Sequence, residues 1–322
     1  MSGADKQLAV STLYQITRSL PHLYSCHDCG TLHRTEHVSH PGAHTRKYDH
    51  ICPDIAPLHK YRKHDPLFYF FDIHSTMYCR FVFRRHHLVA MKNYYTGHRR
   101  GLTVNSLEWR ESVNWPQDSP ITTLLSVHAR VDTVADRPVL ILQVQNWLLF
   151  HDKDPSTDEI LCGLKPIRIC GHIKLNRDRW TLIMGTAPEN WIFTGDSANH
   201  SNTFCCSVCG VVFRGSLLDC NRDGKAVIIT KWMSLGSGLE MDDPQWVRIT
   251  SSRHTRRTPT PVEEPLDQVP LTKAFDDAWD STERNEWCLT QKRYRETLES
   301  RIHGIYWVYS DRAVVDCDYY PD

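Results

Sequence analysis

The alternation of apolar and polar positions divides the chain into a helical opening, a strand-rich middle and a helical end. Val10, Leu13, Tyr14, Thr17 and Leu20 recur at helical spacing, which predicts an amphipathic helix over residues 4–20, stopped by Pro21. Leu67-Phe68-Tyr69-Phe70-Phe71 reads as a short buried strand. Phe81, Leu88, Met91 and Tyr95 share a face and predict a helix over about 80–95, ended by Gly97. In the last part, Leu271, Phe275, Ala278 and Trp279, and then Trp287, Gln291, Tyr294, Leu298 and Ile302, form two more helical stripes, with Gly304 as the stop.

Between these helices the period changes to two. Val127, Ala129, Val131 and Thr133 alternate with polar residues, and Ala135-Asp136-Arg137-Pro138 makes a turn. Leu140, Leu142, Val144 and Leu148 return opposite Gln143 and Gln145. This predicts an antiparallel hairpin over 122–150 with one solvated face. Ile167 to Ile173 alternates as a strand within 166–175. Residues 204–233 read as a second hairpin that turns through Asn221-Arg222-Asp223-Gly224. The expected fold class is α+β: a mostly antiparallel sheet with flanking helices and zinc-stabilised loops. The expected organisation is an N-terminal helix (1–20), a zinc-stabilised domain (21–250), a Pro- and Arg-containing linker (251–265) and a helical region with an aromatic tail (266–322).

Charge adds little. The chain has 322 residues, with 38 Lys and Arg against 38 Asp and Glu, so no global field gathers nucleic acid or an anionic membrane. One local cluster stands out, formed by Arg84, Arg85, Lys92, Arg99 and Arg100. It reads as a solvated helix face or as a nucleic-acid contact. No apolar run approaches the roughly 18 residues of a membrane span. The N-terminus lacks a secretory pattern, so an intracellular location, cytoplasmic or nuclear, is expected.

That setting changes the meaning of the cysteines, because C-x-x-C pairs in a reducing compartment are more often metal ligands or redox centres than disulfides. Cys26-His27-Asp28-Cys29-Gly30 is one such pair, with His33 in reach and Cys52 available to close the set. Cys206-Ser207-Val208-Cys209-Gly210 is the other. A strand at 167–173 puts Cys170 and His172 on one face, since residues i and i+2 share a side. With Cys206 and Cys209 they make four ligands suited to zinc. If residues 205–206 are extended, Cys205 points away from Cys206, so only one of the two ligates. The candidate ligands are therefore Cys26, Cys29, His33, Cys52, Cys170, His172, Cys206 and Cys209. They would hold one or two zinc ions, in two local sites or in a composite of the two C-x-x-C pairs.

Catalytic patterns are missing. Gly236-Ser237-Gly238 follows a strand but lacks the rest of a phosphate loop and runs into Asp242-Asp243-Pro244. Gly195-Asp196-Ser197 lacks the second glycine of a nucleophile elbow, and H-E-x-x-H is absent. The Cys26 pair leads into a loop, where a redox fold wants the start of a helix. No enzyme is expected.

Leu20-Pro21-His22-Leu23-Tyr24-Ser25-Cys26-His27-Asp28-Cys29-Gly30-Thr31-Leu32-His33 resembles a segment common in fungal proteins described as F-box domain-containing or uncharacterised. Ile169-Cys170-Gly171-His172, the stretch Cys206 to Phe213, and Thr230-Lys231-Trp232 through Leu235-Gly236-Ser237-Gly238 to Asp243-Pro244-Gln245-Trp246 are similar in kind and in order. The resemblance implies the region that follows the F-box and holds substrates of a ubiquitin ligase. Only 25 residues precede the first Cys pair, too few for the F-box bundle itself. The sequence thus leads to a zinc-stabilised, non-catalytic protein-binding module. The alternative is a nucleic-acid binder that uses the basic cluster at 84–100.

Overall fold

The structure is a computed structural model. It describes residues 12–41 without 14, 18, 26–30 and 39; 83–97 without 84; 101–114; 121–134; 137–150; 160; 169–187 without 174, 176 and 186; 203–219; 224–239; 243–250; and 260–261. The chain divides into two compact units, Met1–Phe275 and Asp276–Asp322, and every described residue lies in the first. The strand expected at 67–71 and the C-terminal helices lie outside the described residues.

The fold is α+β, as the alternating patterns predict. A small hairpin pairs β1 (Leu23–Ser25) with β2 (Leu32–Arg34). The main sheet is formed by β3 (Trp109–Asn114), β4 (Ile121–Val134), β5 (Arg137–Phe150), β6 (Thr203–Cys205), β7 (Val212–Asp219), β8 (Lys225–Ser234) and β9 (Thr260–Pro261). Their order is β3-β4-β5-β8-β7-β6-β9, and each neighbouring pair is antiparallel. The two predicted hairpins, β4–β5 and β7–β8, become one sheet because β5 also pairs with β8, from Ile141 opposite Ser234 to Phe150 opposite Lys225.

The face expected to be solvated is instead buried on β5. β5 is an inner strand, buried continuously from Leu140 to Phe150, and Gln143 and Gln145 are buried with it. Gln145 answers by donating from Nε2 to Thr230 Oγ1 of β8, 3.4 Å away. Leu140, Leu142, Val144, Leu148 and Phe150 supply the apolar face. They join a core that includes Val227, Ile229 and Met233 of β8 and Phe213 of β7.

Among the described helices, three short ones contribute to this core. The first, α1 (Val89–Thr96), continues a 3-10 turn at Arg85–Leu88 and ends at Gly97, whose φ of 64° is the left-handed cap the sequence predicts. Leu88 of the turn and Val89, Ala90 and Met91 of the helix are buried, whereas Tyr94 and Tyr95 stay exposed, so Tyr95 is not on the packed face that the spacing implies. The second, α2 (Arg177–Met184), buries Trp180, Ile183 and Met184. It comes so close to β7 that a Cβ at Gly215 would lie 2.5 Å from Met184 Sδ and 2.9 Å from Ile183 Cγ2. The third, α3 (Pro244–Thr250), buries Trp246 and Ile249 and ends just before the expected linker at 251–265.

The start of α3 also accounts for the Gly-Ser-Gly motif. Asp243 precedes Pro244, and its Oδ1 accepts the Gln245 amide at 2.9 Å, the pattern of an Asp cap with Pro at the first helical position. Its Oδ2 accepts from the Ser237 amide at 2.8 Å and the Ser237 hydroxyl at 3.2 Å. The loop therefore cradles the chain's own carboxylate. Gly236 has φ 79°, and a Cβ there would sit 2.2 Å from the Asp243 carboxylate oxygens. Gly236→Ala is expected to cost about 2–4 kcal/mol, combining a left-handed backbone with a clash against a buried cap. Chemical denaturation measures this, and a change below about 0.5 kcal/mol would contradict the contact.

Lys92 departs furthest from its expected role. Instead of lying on a solvated face, it turns back to the N-terminal segment, where residues 12, 13 and 15–17 are helical. Its Nζ donates to the carbonyls of Thr17 (2.5 Å), Leu20 (2.8 Å) and Leu23. Thr17 O and Leu20 O already accept backbone amides, from Leu20 and Leu23, each at 3.1 Å, so the ammonium is a second donor to each and complements the helix dipole. Burial pulls the ammonium down to about 8, and only the charged form has a hydrogen for each of the three carbonyls. Arg84, Arg99 and Arg100 lie outside the described residues.

Candidate metal centre

The hairpin loop between β6 and β7 carries Cys206 and Cys209. Strand pairing runs as far as Cys205 opposite Val212, and residues 206–211 make the connection. The Cys206 amide donates to Val211 O at 2.9 Å, and the Gly210 amide donates to Cys206 O at 2.8 Å. Gly210 has φ 71°, which an L-residue with a Cβ adopts only under strain, so the C-x-x-C-G order is what lets this knuckle close. Cys205 points elsewhere. Its half-buried Sγ approaches Cys206 O at 3.7 Å, so of the two adjacent cysteines only Cys206 turns inward.

Cys170 and His172 meet that knuckle by a different geometry from the one expected. The described part of the segment, residues 169–173, is a reversal and not a strand. The amides of Ile169 and Cys170 both donate to Ile173 O, at 3.0 and 3.4 Å. A bend at Gly171, with Ile169 and Ile173 buried on either side, brings the two side chains together where strand alternation was the predicted cause.

The ligand atoms of Cys170, His172, Cys206 and Cys209 all lie within 4.8 Å of one another, and all four residues are buried. Cys206 and Cys209 are each 1% exposed. A tetrahedral zinc ion, with Zn–S about 2.3 Å and Zn–N about 2.0–2.1 Å, holds its ligands about 3.5–3.8 Å apart, which this spacing approaches. Cys170 Sγ lies 3.9 Å from His172 Nδ1. His172 Nε2 is buried with no hydrogen-bond partner among the described residues.

Three thiols this close cannot all ionise without a compensating cation. Hydrogen bonds from the Cys170 and Cys209 thiols, followed by those from the backbone amides of Cys209 and Val208, hold Cys206 down to about 2 against the effect of burial. Cys170 is pushed up to about 12, chiefly through its hydrogen bond to Cys206. Cys209 is pushed up as well, by its bonds to Cys170 and Cys206 and by burial. A divalent ion reverses this order, because its charge makes the thiolate the favoured form of every coordinating cysteine. The backbone amides of Val208 and Cys209 at Cys206, and of His172 at Cys170, are the donors that such thiolates accept.

The remaining candidates fall elsewhere. His33 sits on β2, its ring 5.6 Å from that of its cross-strand partner Tyr24, and its Nε2 is 3.3 Å from Thr31 Oγ1. It takes no part in the cluster. Cys26, Cys29 and Cys52 lie outside the described residues. The knuckle reaches four ligands with Cys170 and His172 alone, without drawing on Cys26 or Cys29.

One residue at the centre belongs to no ligand motif. Gln245 of α3 donates from Nε2 to Cys209 O at 3.1 Å. The Asp-Pro step before it is the signal that places a helix start here, but nothing in the spacing says which loop that helix meets. Among the described residues no helix is long and apolar enough to cross a membrane. No protein-family model, no curated protein and no solved structure matches the chain.

Proposed function

We propose that Cys170, His172, Cys206 and Cys209 hold one zinc ion, and that the chain is a non-catalytic protein-binding module stabilised by it. The observation that carries the metal reading is the convergence of three thiols and an imidazole, all buried, within the reach of one ion. Three sulfurs and one nitrogen of borderline-soft character suit zinc. Four protein ligands fill a tetrahedral shell and leave no position for a reactive water, which is the mark of a structural site. The depth of Cys206 and Cys209 also argues against a thiol enzyme, whose nucleophile has to be reached.

Protein is favoured over nucleic acid as the partner because Lys92 of the basic cluster is spent on backbone carbonyls. The exposed, edge-on pair Tyr94 and Tyr95 offers the aromatic surface that protein interfaces favour. The resemblance to the substrate-side region of fungal F-box proteins points the same way.

Cobalt(II) titration of the metal-free, reduced chain tests the metal reading. The expected result is the thiolate-to-cobalt charge-transfer band of a tetrahedral site. Zinc should bleach it, and Cys170→Ala should lose it. A wild-type spectrum that Cys170→Ala leaves unchanged overturns the assignment. RNA binding that weakens steeply between low and physiological salt would overturn the choice of protein as partner.

A further inference from the structure

We infer that Gln245 is the positioning residue that couples the metal centre to α3, so that metal occupancy and docking of this helix control each other. The inference rests on the metal reading proposed above. The Gln245 side chain joins the helix to the knuckle by a hydrogen bond at the carbonyl of Cys209 itself. That carbonyl belongs to the Cys209–Gly210 peptide, and Gly210 closes the knuckle by donating to Cys206 O. Fixing the Cys209 carbonyl therefore fixes the peptide plane that follows Cys209 and bonds back to Cys206 O. The Gln245 amide group also lies over Gly210, 3.8 Å from where a Cβ would stand.

From Gln245 the contacts continue without a break to the central sheet. Its backbone amide donates to Asp243 Oδ1, and Asp243 Oδ2 takes the Ser237 amide. Leu235 and Gly236, just before Ser237, are tied to β5: Leu140 N donates to Gly236 O at 3.0 Å, and Leu235 N donates to Leu140 O at 2.8 Å. On the other side of α3, Trp246 packs near Phe83, with ring centroids 6.4 Å apart. The helix has seven residues, too few to persist without tertiary contacts, so its docking depends on what holds its ends. Partners of this kind, which orient a ligand without touching the ion, typically carry 10–100-fold in metal affinity. Linkage makes the effect reciprocal, so the metal steadies the helix as much as the helix steadies the metal.

Gln245→Glu is the test. It preserves shape, and a carboxylate in a first helical turn is favourable in itself, so a residue that only stabilised the helix would tolerate it. It removes the donor and sets a negative charge against the Cys209 carbonyl. Zinc affinity, measured by chelator competition on the full chain, is expected to fall about 10–100-fold. Gln245→Met, uncharged and of similar length, should give the same direction of change and serves if the Glu variant folds poorly. In the wild-type chain, hydrogen exchange at the amides of Ser237, Gln245 and Val247 is expected to quicken when zinc is removed. Wild-type affinity in both variants, or exchange at these amides that ignores zinc, overturns the coupling while leaving the metal site standing. A wild-type chain that takes up no zinc removes both.

Discussion

Replacing Cys206 and Cys209 together by serine is expected to abolish zinc binding at the knuckle and to lower the melting temperature by at least about 10 °C. Structural zinc sites bind with apparent free energies on the order of 10 kcal/mol, and that binding energy is folding energy. A chain of this size moves by roughly 2–4 °C per kcal/mol. The sheet core does not pass through the metal, so part of the loss is borne locally by the loop at 206–211, the reversal at 169–173 and α3. Calorimetry with and without a chelator measures it. Chelation should bring the wild type close to the variant and leave the variant itself unmoved. A variant that keeps both its zinc and its melting temperature would show that the four residues are merely neighbours.

The second large effect is expected at Trp180. It is 1% exposed on α2, in the core that Ile183 and Met184 share with Phe213 of β7. Truncating a buried tryptophan to alanine costs about 3–5 kcal/mol, through lost transfer energy and the cavity left behind. Trp180→Ala should therefore destabilise the chain by that amount in denaturant. Its zinc content should stay at the wild-type value, because α2 begins beyond the 169–173 reversal and supplies no ligand. A loss below about 1 kcal/mol would mean that α2 is not seated on β7. The pair of experiments separates the two supports of the fold: one removes metal and stability together, the other removes stability alone.

What could be read in the sequence follows from how local each cause is. The β4–β5 and β7–β8 hairpins show themselves because their partners are adjacent along the chain. The Gly97 cap and the Cys206-to-Gly210 knuckle are visible because a single glycine with positive φ specifies each. The joining of β5 to β8 is a contact between distant segments, so nothing near Gln143 or Gln145 announces that their face is buried. β3 is short and poorly alternating, and it shows up as a strand only through its pairing with β4.

The metal cluster illustrates the same limit. Cys170 and His172 were grouped with Cys206 and Cys209 on the argument that i and i+2 share a strand face. The same four residues converge in the structure, but through a tight reversal around Gly171. The chemistry of the ligand types was legible, and the backbone path that delivers them was not. Lys92 misled for a related reason: a helical wheel records which way a residue points but not that three carbonyls of a distant segment gather there.

The most direct test of the account is native mass spectrometry of the reduced, folded chain beside its Cys206→Ser/Cys209→Ser variant, with the metal identified by elemental analysis. The account predicts that the wild type carries zinc and that the variant carries one zinc ion fewer. Equal metal content in the two proteins, or a folded wild type with no metal at all, would contradict it.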